Sequence, residues 1–275
     1  MKKINIKTIQ SWKGKRAFSV ITAYDYTSAK IIDRSNIPII LVGDSASMIT
    51  YGYTTTVPIT MDEILLVSKA VSRAANNTFV VGDMPFLSYQ ASSSSAINNA
   101  GKLLKMGGVE AVKLEGGVEV SKQIKKIVAS GIPVMGHVGL TPQSVNLLSG
   151  HNVQGKTIKS AQKILDDALC VEDSGAFAVV LECIPKELAA LITNKLSIPT
   201  IGIGSGTDCD GQVQVFHDIL GMIDGFNPKH AKKYSSLSKD IKKAIDLYDN
   251  EVVGRKFPSF KNSTSVSKKI IESLK

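Results

Sequence analysis

The feature that most constrains the fold of this chain is a regular alternation of short apolar runs, rich in β-branched residues, with longer amphipathic stretches. The short runs suit buried strands, and the longer stretches carry apolar residues at helical spacing. The predicted strands are residues 18–24, 38–44, 78–83, 109–115, 132–137, 177–182, 198–202 and 221–226. The predicted helices are residues 61–75, 96–106, 118–129, 157–173 and 186–196.

Eight strands joined by helical crossovers predict an α/β fold of the (β/α)8 TIM barrel type. The alternative is an open, doubly wound parallel sheet. Against that alternative, no GxGxxG follows the first strand, and the polar residues at strand ends are spread over many strands. We predict one barrel domain over residues 1–256 and a Ser/Lys-rich tail over residues 257–275.

Positive charge is concentrated near the end of the chain. Residues 229–275 hold 12 Lys and Arg against 5 Asp and Glu, a net of +7 out of the total of +9. The first 228 residues therefore carry +2, and no aromatic and basic residues interleave there as in RNA-binding modules. We expect no nucleic-acid partner; a basic tail that binds nucleic acid is the alternative.

Cysteine usage and hydropathy indicate the compartment. The three cysteines, Cys170, Cys183 and Cys209, show no CxxC spacing, which favours a reducing environment. No apolar stretch reaches the ~18–20 residues of a membrane span, and the basic N-terminal stretch lacks the apolar centre of a secretory signal. We therefore expect a cytoplasmic protein with no membrane partner. Cys183 is more typical of inert packing than of a nucleophile.

Four carboxylates stand at the ends of four predicted strands: Asp44, Asp83, Glu115 and Glu182. In a parallel barrel those ends converge on the face that carries the chemistry. Asp44, Asp83 and Glu115 offer the hard oxygen donors that Mg²⁺ prefers, and a 2-oxo acid suits the remaining positions. The alternative for each acid alone is a helix N-cap.

Three further residues complete the candidate site. Strand alternation puts Lys113 on the same face as Glu115, where a buried lysine requires an anionic partner; an ion pair that only braces the barrel is the alternative. Glu182 lies among apolar neighbours, which suits a general base. His137 ends a strand, either as a substrate contact or as a hydrogen-bonded core residue. The segment 138–156 is typical of an active-site loop, and 201–206 of an anion-binding loop.

Several segments, taken in order, resemble the ketopantoate hydroxymethyltransferase family. They are ITAYDYTSAK, LVGDS, VPIT, GDMPF, VKLEGG, GHVGLTPQSVN, VQGK, LECIP and IGIGSG, and they run from about residue 21 to residue 211. Two departures stand out: Ala46-Ser47 replaces an expected Leu-Gly pair, and Ser205 replaces an expected Ala.

The resemblance implies a set of residue roles. Asp44, Asp83 and Glu115 would bind Mg²⁺, and Glu182 would be the catalytic proton acceptor. The residues beside the 2-oxo acid would be Asp44, Ser45, Asp83, Lys113 and His137.

The resemblance also implies an activity and an assembly. A hydroxymethyl group would pass from the cosubstrate 5,10-methylenetetrahydrofolate to 3-methyl-2-oxobutanoate through a Mg-stabilised enolate. The product would be 2-dehydropantoate, in pantothenate and coenzyme A biosynthesis. Members of the family form large homo-oligomers, commonly a homodecamer. A rival hypothesis is a Mg²⁺-dependent lyase or mutase that acts on another 2-oxo acid without folate, such as a relative of phosphoenolpyruvate mutase.

Overall fold

The computed structural model describes residues 3–148, 150, 152–223, 225 and 228–274. Its central feature is a closed barrel of eight parallel strands in sequence order, with β8 pairing back onto β1. The TIM barrel fold is therefore confirmed. The strands are β1 (Phe18–Thr22), β2 (Ile39–Val42), β3 (Phe79–Asp83), β4 (Ala111–Glu115), β5 (Val134–Gly139), β6 (Ala178–Glu182), β7 (Thr200–Ile203) and β8 (Gly211–Gln214).

Seven predicted strands are confirmed, and the eighth is wrong. The last strand is Gly211–Gln214, in which buried and half-buried residues alternate, so no continuous apolar run marks it. The predicted run 221–226 is turn or irregular where it is described, with Gly221 and Gly225 at positive φ. Its residues Asp224 and Phe226 lie outside the described residues.

Several helices pack against the outside of the strands, and several begin at a side-chain cap. Thr60 and Glu63 form a reciprocal capping box at the start of the helix that precedes β3. The α-helices are α1 (Ile6–Ser11), α2 (Tyr26–Asp33), α3 (Ala46–Ile49), α4 (Met61–Ala74), α5 (Ser93–Lys102), α6 (Ser121–Ala129), α7 (Ile158–Asp173), α8 (Lys186–Lys195), α9 (Phe216–Ile219), α10 (Leu237–Val253) and α11 (Lys268–Glu272). A π-helical turn, Leu103–Gly107, continues α5, and short 3₁₀ turns occupy Val118–Val120, Pro142–Ser144 and Phe260–Asn262.

The barrel interior is apolar at the end where the strands begin. Phe79 and Phe177, which start or precede β3 and β6, meet edge to face with ring centroids 6.0 Å apart. Ile9 and Trp12 of the N-terminal segment belong to the same core cluster, and Trp12 lies 5.3 Å from the Phe18 ring. The buried acids, Lys113 and His137 lie at the opposite end, where the strands finish.

The chain divides into two compact units, Met1–Phe216 with Pro228–Ala231, and His217–Asn227 with Lys232–Lys275. The first unit contains the barrel. In the second, α10 has no buried side chain. Within the described residues, no helix combines the length and the apolar character that crossing a bilayer requires. The division into a barrel domain of residues 1–256 and a tail of 257–275 stays a prediction.

Candidate active site

Neighbouring strands β2 to β6 bring the sequence-predicted residues to the carboxyl-terminal mouth of the barrel. Asp83, Glu115 and Glu182 are the last residues of β3, β4 and β6. Asp44 follows β2 by two residues. In a parallel barrel these ends share one face, so residues far apart in sequence become neighbours.

Lys113 lies at the centre of this group. Its Nζ is 3.0 Å from Asp83 Oδ2, 3.6 Å from Glu115 Oε1 and 3.2 Å from His137 Nδ1. The strand register sets these contacts, because Asp83 is opposite Lys113 and Glu115 is opposite His137. All four side chains are buried, and Lys113 is 3% exposed. The predicted inward position of Lys113 is confirmed, with Asp83 as its nearest acidic partner.

Asp44 joins the group through its backbone and through Gln143. The Asp44 N–H donates to Asp83 Oδ2 at 3.1 Å. Gln143 Nε2 donates to Asp44 Oδ2 at 2.9 Å, and the Gln143 N–H donates to Glu115 Oε2 at 3.0 Å. Sequence reasoning did not select Gln143. Its one signal was its place in the predicted active-site loop, 138–156; Ser149 and His151 of that loop lie outside the described residues.

His137 connects Glu115 with Glu182. Its Nδ1 is 3.4 Å from Glu115 Oε1, and its Nε2 is 3.2 Å from Glu182 Oε2. Burial and the charge of Lys113 oppose protonation of the imidazole, but the two carboxylates outweigh them and raise the pKa of His137 to about 9. Glu182 is therefore held beside a cation and remains partly open, with 13% of its side chain exposed.

The carboxylates of the cluster have different protonation tendencies. Burial, followed by the charges of Asp83 and Glu115, raises the pKa of Asp44 well above its ordinary value. Burial also raises the pKa of Asp83, although Lys113 opposes it. For Glu115, burial acts upward, but Lys113 and His137 hold the pKa below its ordinary value. The negative charge of these three buried carboxylates is not fully balanced by the cations beside them, which favours the binding of a further cation.

The donor set fits a hard divalent cation. Among the described residues, Asp83 Oδ1 is buried without a hydrogen-bond partner, while Glu115 Oε1 has only the ion-pair contacts of 3.4 Å to His137 Nδ1 and 3.6 Å to Lys113 Nζ. Carboxylate oxygens are the ligands that Mg²⁺ prefers. Within the same part of the chain, no three His, Cys, Asp or Glu side chains are already grouped to hold a metal ion. Mg²⁺ is commonly bound by one or two carboxylates together with waters and substrate oxygens. The assignment of all three acids to Mg²⁺ stays a prediction.

Ser45 lies beside the cluster, as do Ala46 and Ser47, the two residues that replace the expected Leu-Gly pair. The half-buried Ser45 has its Oγ 2.7 Å from the Tyr24 hydroxyl. Ser47 is fully buried, and its Oγ donates to the Thr55 carbonyl at 2.7 Å. The hydroxyl of Ser47 therefore finds a partner in the following loop, which accommodates a side chain where glycine was expected.

Cys183 and the glycine-rich loop 201–206 adjoin the end of β6. All three cysteines are free. Burial, assisted by the charge of Glu182, raises the pKa of the Cys183 thiol to about 11, which disfavours the thiolate that a nucleophile needs. In the 201–206 loop, the Ser205 Oγ donates to the Leu181 carbonyl at 2.8 Å and so links the ends of β6 and β7. Anion binding by this loop stays a prediction.

A closed parallel barrel with acids, a lysine and a histidine buried at its carboxyl-terminal mouth defines the chain as a (β/α)8-barrel enzyme. A model of the ketopantoate hydroxymethyltransferase family matches residues 3–260. The chain belongs to this family and is a transferase, which confirms the resemblance in its sequence segments.

Curated relatives match over the full length. The chain is 51% identical over 275 residues to a 3-methyl-2-oxobutanoate hydroxymethyltransferase of Carboxydothermus hydrogenoformans, covering 100% of both chains. It is 50% identical over 273 residues to the protein of that name from Clostridium botulinum (strain Alaska E43), covering 99% of each.

Solved structures with low sequence identity share the fold. Phosphoenolpyruvate phosphomutase from Streptomyces platensis subsp. rosaceus has a TM-score of 0.63 at 11% identity, covering 98% of this chain and 94% of that one. A phosphonopyruvate hydrolase in complex with oxalate and Mg²⁺ has a TM-score of 0.61 at 12% identity, covering 97% and 93%. These likenesses support the barrel architecture.

Proposed function

We propose that this enzyme transfers a hydroxymethyl group from 5,10-methylenetetrahydrofolate to 3-methyl-2-oxobutanoate, giving 2-dehydropantoate for pantothenate and coenzyme A biosynthesis. Membership of the family and the names of relatives at about 50% identity support the acceptor substrate. The observation that supports this chemistry is a continuous series of contacts across the barrel mouth. It runs from Asp44 to Asp83 and then through Lys113 and His137 to Glu182.

The reaction requires removal of a poorly acidic C3–H. In the proposal, Glu182 accepts this proton, since it is the most exposed acid of the cluster and its Oε2 lies 3.2 Å from His137 Nε2. Lys113 stabilises the negative charge that moves onto the keto oxygen as the enolate forms. Water cleaves the two C–N bonds that hold the one-carbon unit to the folate, which releases tetrahydrofolate and leaves that carbon at the oxidation level of formaldehyde. The nucleophilic C3 then bonds to this carbon, and its oxygen takes up the proton held by Glu182 to become the hydroxyl group.

Asp44 and Asp83, with Glu115 beside them, are the residues proposed to hold Mg²⁺. A bound Mg²⁺ would supply Lewis-acid polarisation of the substrate's keto oxygen. Ser45 is proposed as a further contact of the 2-oxo acid, because its hydroxyl adjoins Asp44 and is already oriented by Tyr24. A homodecameric assembly and a cytoplasmic location stay predictions from the resemblance and the cysteine content.

The transfer assay tests this proposal against the rival lyase or mutase activity. Purified protein is incubated with 3-methyl-2-oxobutanoate, 5,10-methylenetetrahydrofolate and Mg²⁺, and 2-dehydropantoate is quantified. We expect product only when both substrates are present, and loss of product with EDTA. The proposal would be contradicted if the protein forms no 2-dehydropantoate but cleaves or rearranges a 2-oxo acid in the absence of folate. That result would favour the rival lyase or mutase activity.

A further inference from the structure

Gln143 is a buried polar side chain at the barrel mouth that lies outside the predicted set of site residues. It is 3% exposed. Its Nε2 donates to Asp44 Oδ2 at 2.9 Å and to the Met84 carbonyl at 3.0 Å. Its backbone N–H donates to Glu115 Oε2 at 3.0 Å. One residue therefore hydrogen-bonds two of the carboxylates that are assigned to the cation.

Tyr89 fixes the orientation of the Gln143 amide. The Tyr89 hydroxyl is 3.0 Å from Gln143 Oε1 and 3.0 Å from the Glu115 carbonyl, and it accepts from the Glu115 N–H at 3.1 Å. A reversed amide would place Oε1 against the Met84 carbonyl, and two carbonyl oxygens cannot hydrogen-bond each other. The network therefore admits one amide orientation, with the N–H groups directed at Asp44.

We propose that Gln143 is a positioning residue that sets the Asp44 carboxylate relative to Glu115, and that Tyr89 locks Gln143 in the orientation required. This inference rests on the proposed function. Gln143 touches neither substrate nor reacting atoms in this role; it acts through the carboxylates. Replacing a residue that hydrogen-bonds a metal-binding carboxylate typically lowers metal affinity or activity about 10–100-fold.

Two variants remove the network with little change in volume. Gln143→Met deletes both side-chain N–H donors, and Tyr89→Phe deletes the hydroxyl but keeps the ring. The matched control is Gln162→Met, because the exposed Gln162 amide donates to Asp166 Oδ1 at 2.7 Å on the helix surface. If Gln143→Met does not fold, Tyr89→Phe still carries the test.

The first readout is Mn²⁺ affinity, measured by electron paramagnetic resonance of the free ion without substrate. We expect about a 10–100-fold weaker affinity in Gln143→Met, a smaller loss in Tyr89→Phe, and no change in Gln162→Met. The second readout is exchange of the C3 hydrogen of 3-methyl-2-oxobutanoate as a function of Mg²⁺. The Mg²⁺ concentration for half-maximal exchange should rise, with the maximal rate recovered at saturation. A purely structural role would lower the maximal rate and leave that concentration unchanged.

Three results would overturn the inference: wild-type protein that binds no Mn²⁺, Mn²⁺ affinity that is unchanged in both network variants, and Mn²⁺ affinity that is equally reduced in the control. The proposed function fails separately. If wild-type protein binds Mn²⁺ and the variants weaken that binding, but no C3–H exchange occurs with 3-methyl-2-oxobutanoate, then Gln143 positions a cation site of another activity.

Discussion

Lys113 supplies positive charge to a pocket that also holds three acids. It lies 3.0 Å from Asp83 and 3.6 Å from Glu115, with 4% of its side chain exposed. Burying a charged pair is costly, but removing one partner is worse, because the remaining charge stays desolvated and unpaired. The sequence predicted this lysine to face inward from alternation with Glu115, whereas its pairing with Asp83 follows from a strand register that the sequence does not display.

Lys113→Met should therefore reduce the free energy of unfolding by about 3–5 kcal/mol in EDTA. The measurement is urea-induced unfolding. Lys242→Met is the matched control: its Nζ is 2.6 Å from Asp246 Oδ2, but 76% of the Lys242 side chain and 55% of the Asp246 side chain are exposed. Such surface pairs contribute about 0–1 kcal/mol. Equal, small losses in the two variants would show that the buried ion pairs do not stabilise the barrel mouth.

Among the elements, the strand ends hold the candidate site, and β5 pairs with β6 beside Glu182, the proposed general base. Gly139 ends β5 with φ +96°, and its neighbour in the register is Glu182. A Cβ at Gly139 would overlap the Glu182 carbonyl oxygen. Periodicity predicted the strands that read as continuous apolar runs, but it missed β8, whose half-polar pattern GQVQ gives no such run.

Gly139→Ala should destabilise the protein more than Gly131→Ala. Both glycines have positive φ, which costs a residue with a Cβ about 1–3 kcal/mol, but nothing lies within 4 Å of a Cβ at Gly131. The difference in unfolding free energy therefore reports the clash with the Glu182 backbone. Gly139→Ala should also slow C3–H exchange, while Gly131→Ala should not. Equal stability and equal exchange rates would contradict this account of the β5–β6 contact.

At the scale of the whole molecule, the ionisable residues gather at one end of the barrel, and the sequence predicted this gathering from acids placed at strand ends. It did not predict how the acids are connected, because Gln143 and Tyr89 reach them from loops whose paths depend on tertiary contacts. A long apolar run predicts a strand from the local sequence. A loop glutamine that joins a polar network leaves no such pattern in the local sequence.

The ionisable end should make the stability of the metal-free protein depend on pH. The pKa of His137 is raised from an ordinary 6.5 to about 9. Its stabilising contribution is therefore fully present below pH 6.5 and is lost as the pH rises through about 9. The raised pKa of Asp44 acts in the same direction, because protonation of this carboxyl group is more favourable in the folded than in the unfolded state.

We expect the melting temperature in EDTA to fall across this window and His137→Asn to reduce the fall. Mg²⁺ should also reduce it, because a bound cation favours the deprotonated carboxylates. Differential scanning fluorimetry at several pH values measures all three. A melting temperature that rises from pH 6.5 to 9, or the same slope in His137→Asn, would show that these groups do not control the pH dependence.

Exchange of the C3 hydrogen of 3-methyl-2-oxobutanoate in deuterium oxide, with Mg²⁺ and without folate, tests the central claim most directly. Wild-type protein should incorporate deuterium at C3. Glu182→Gln should bind the 2-oxo acid with similar affinity but lose about 10²–10⁴ in the exchange rate, as expected for removal of a well-placed base. Equal exchange by the two proteins, or none by the wild type, would contradict the assignment of enolate chemistry to this site.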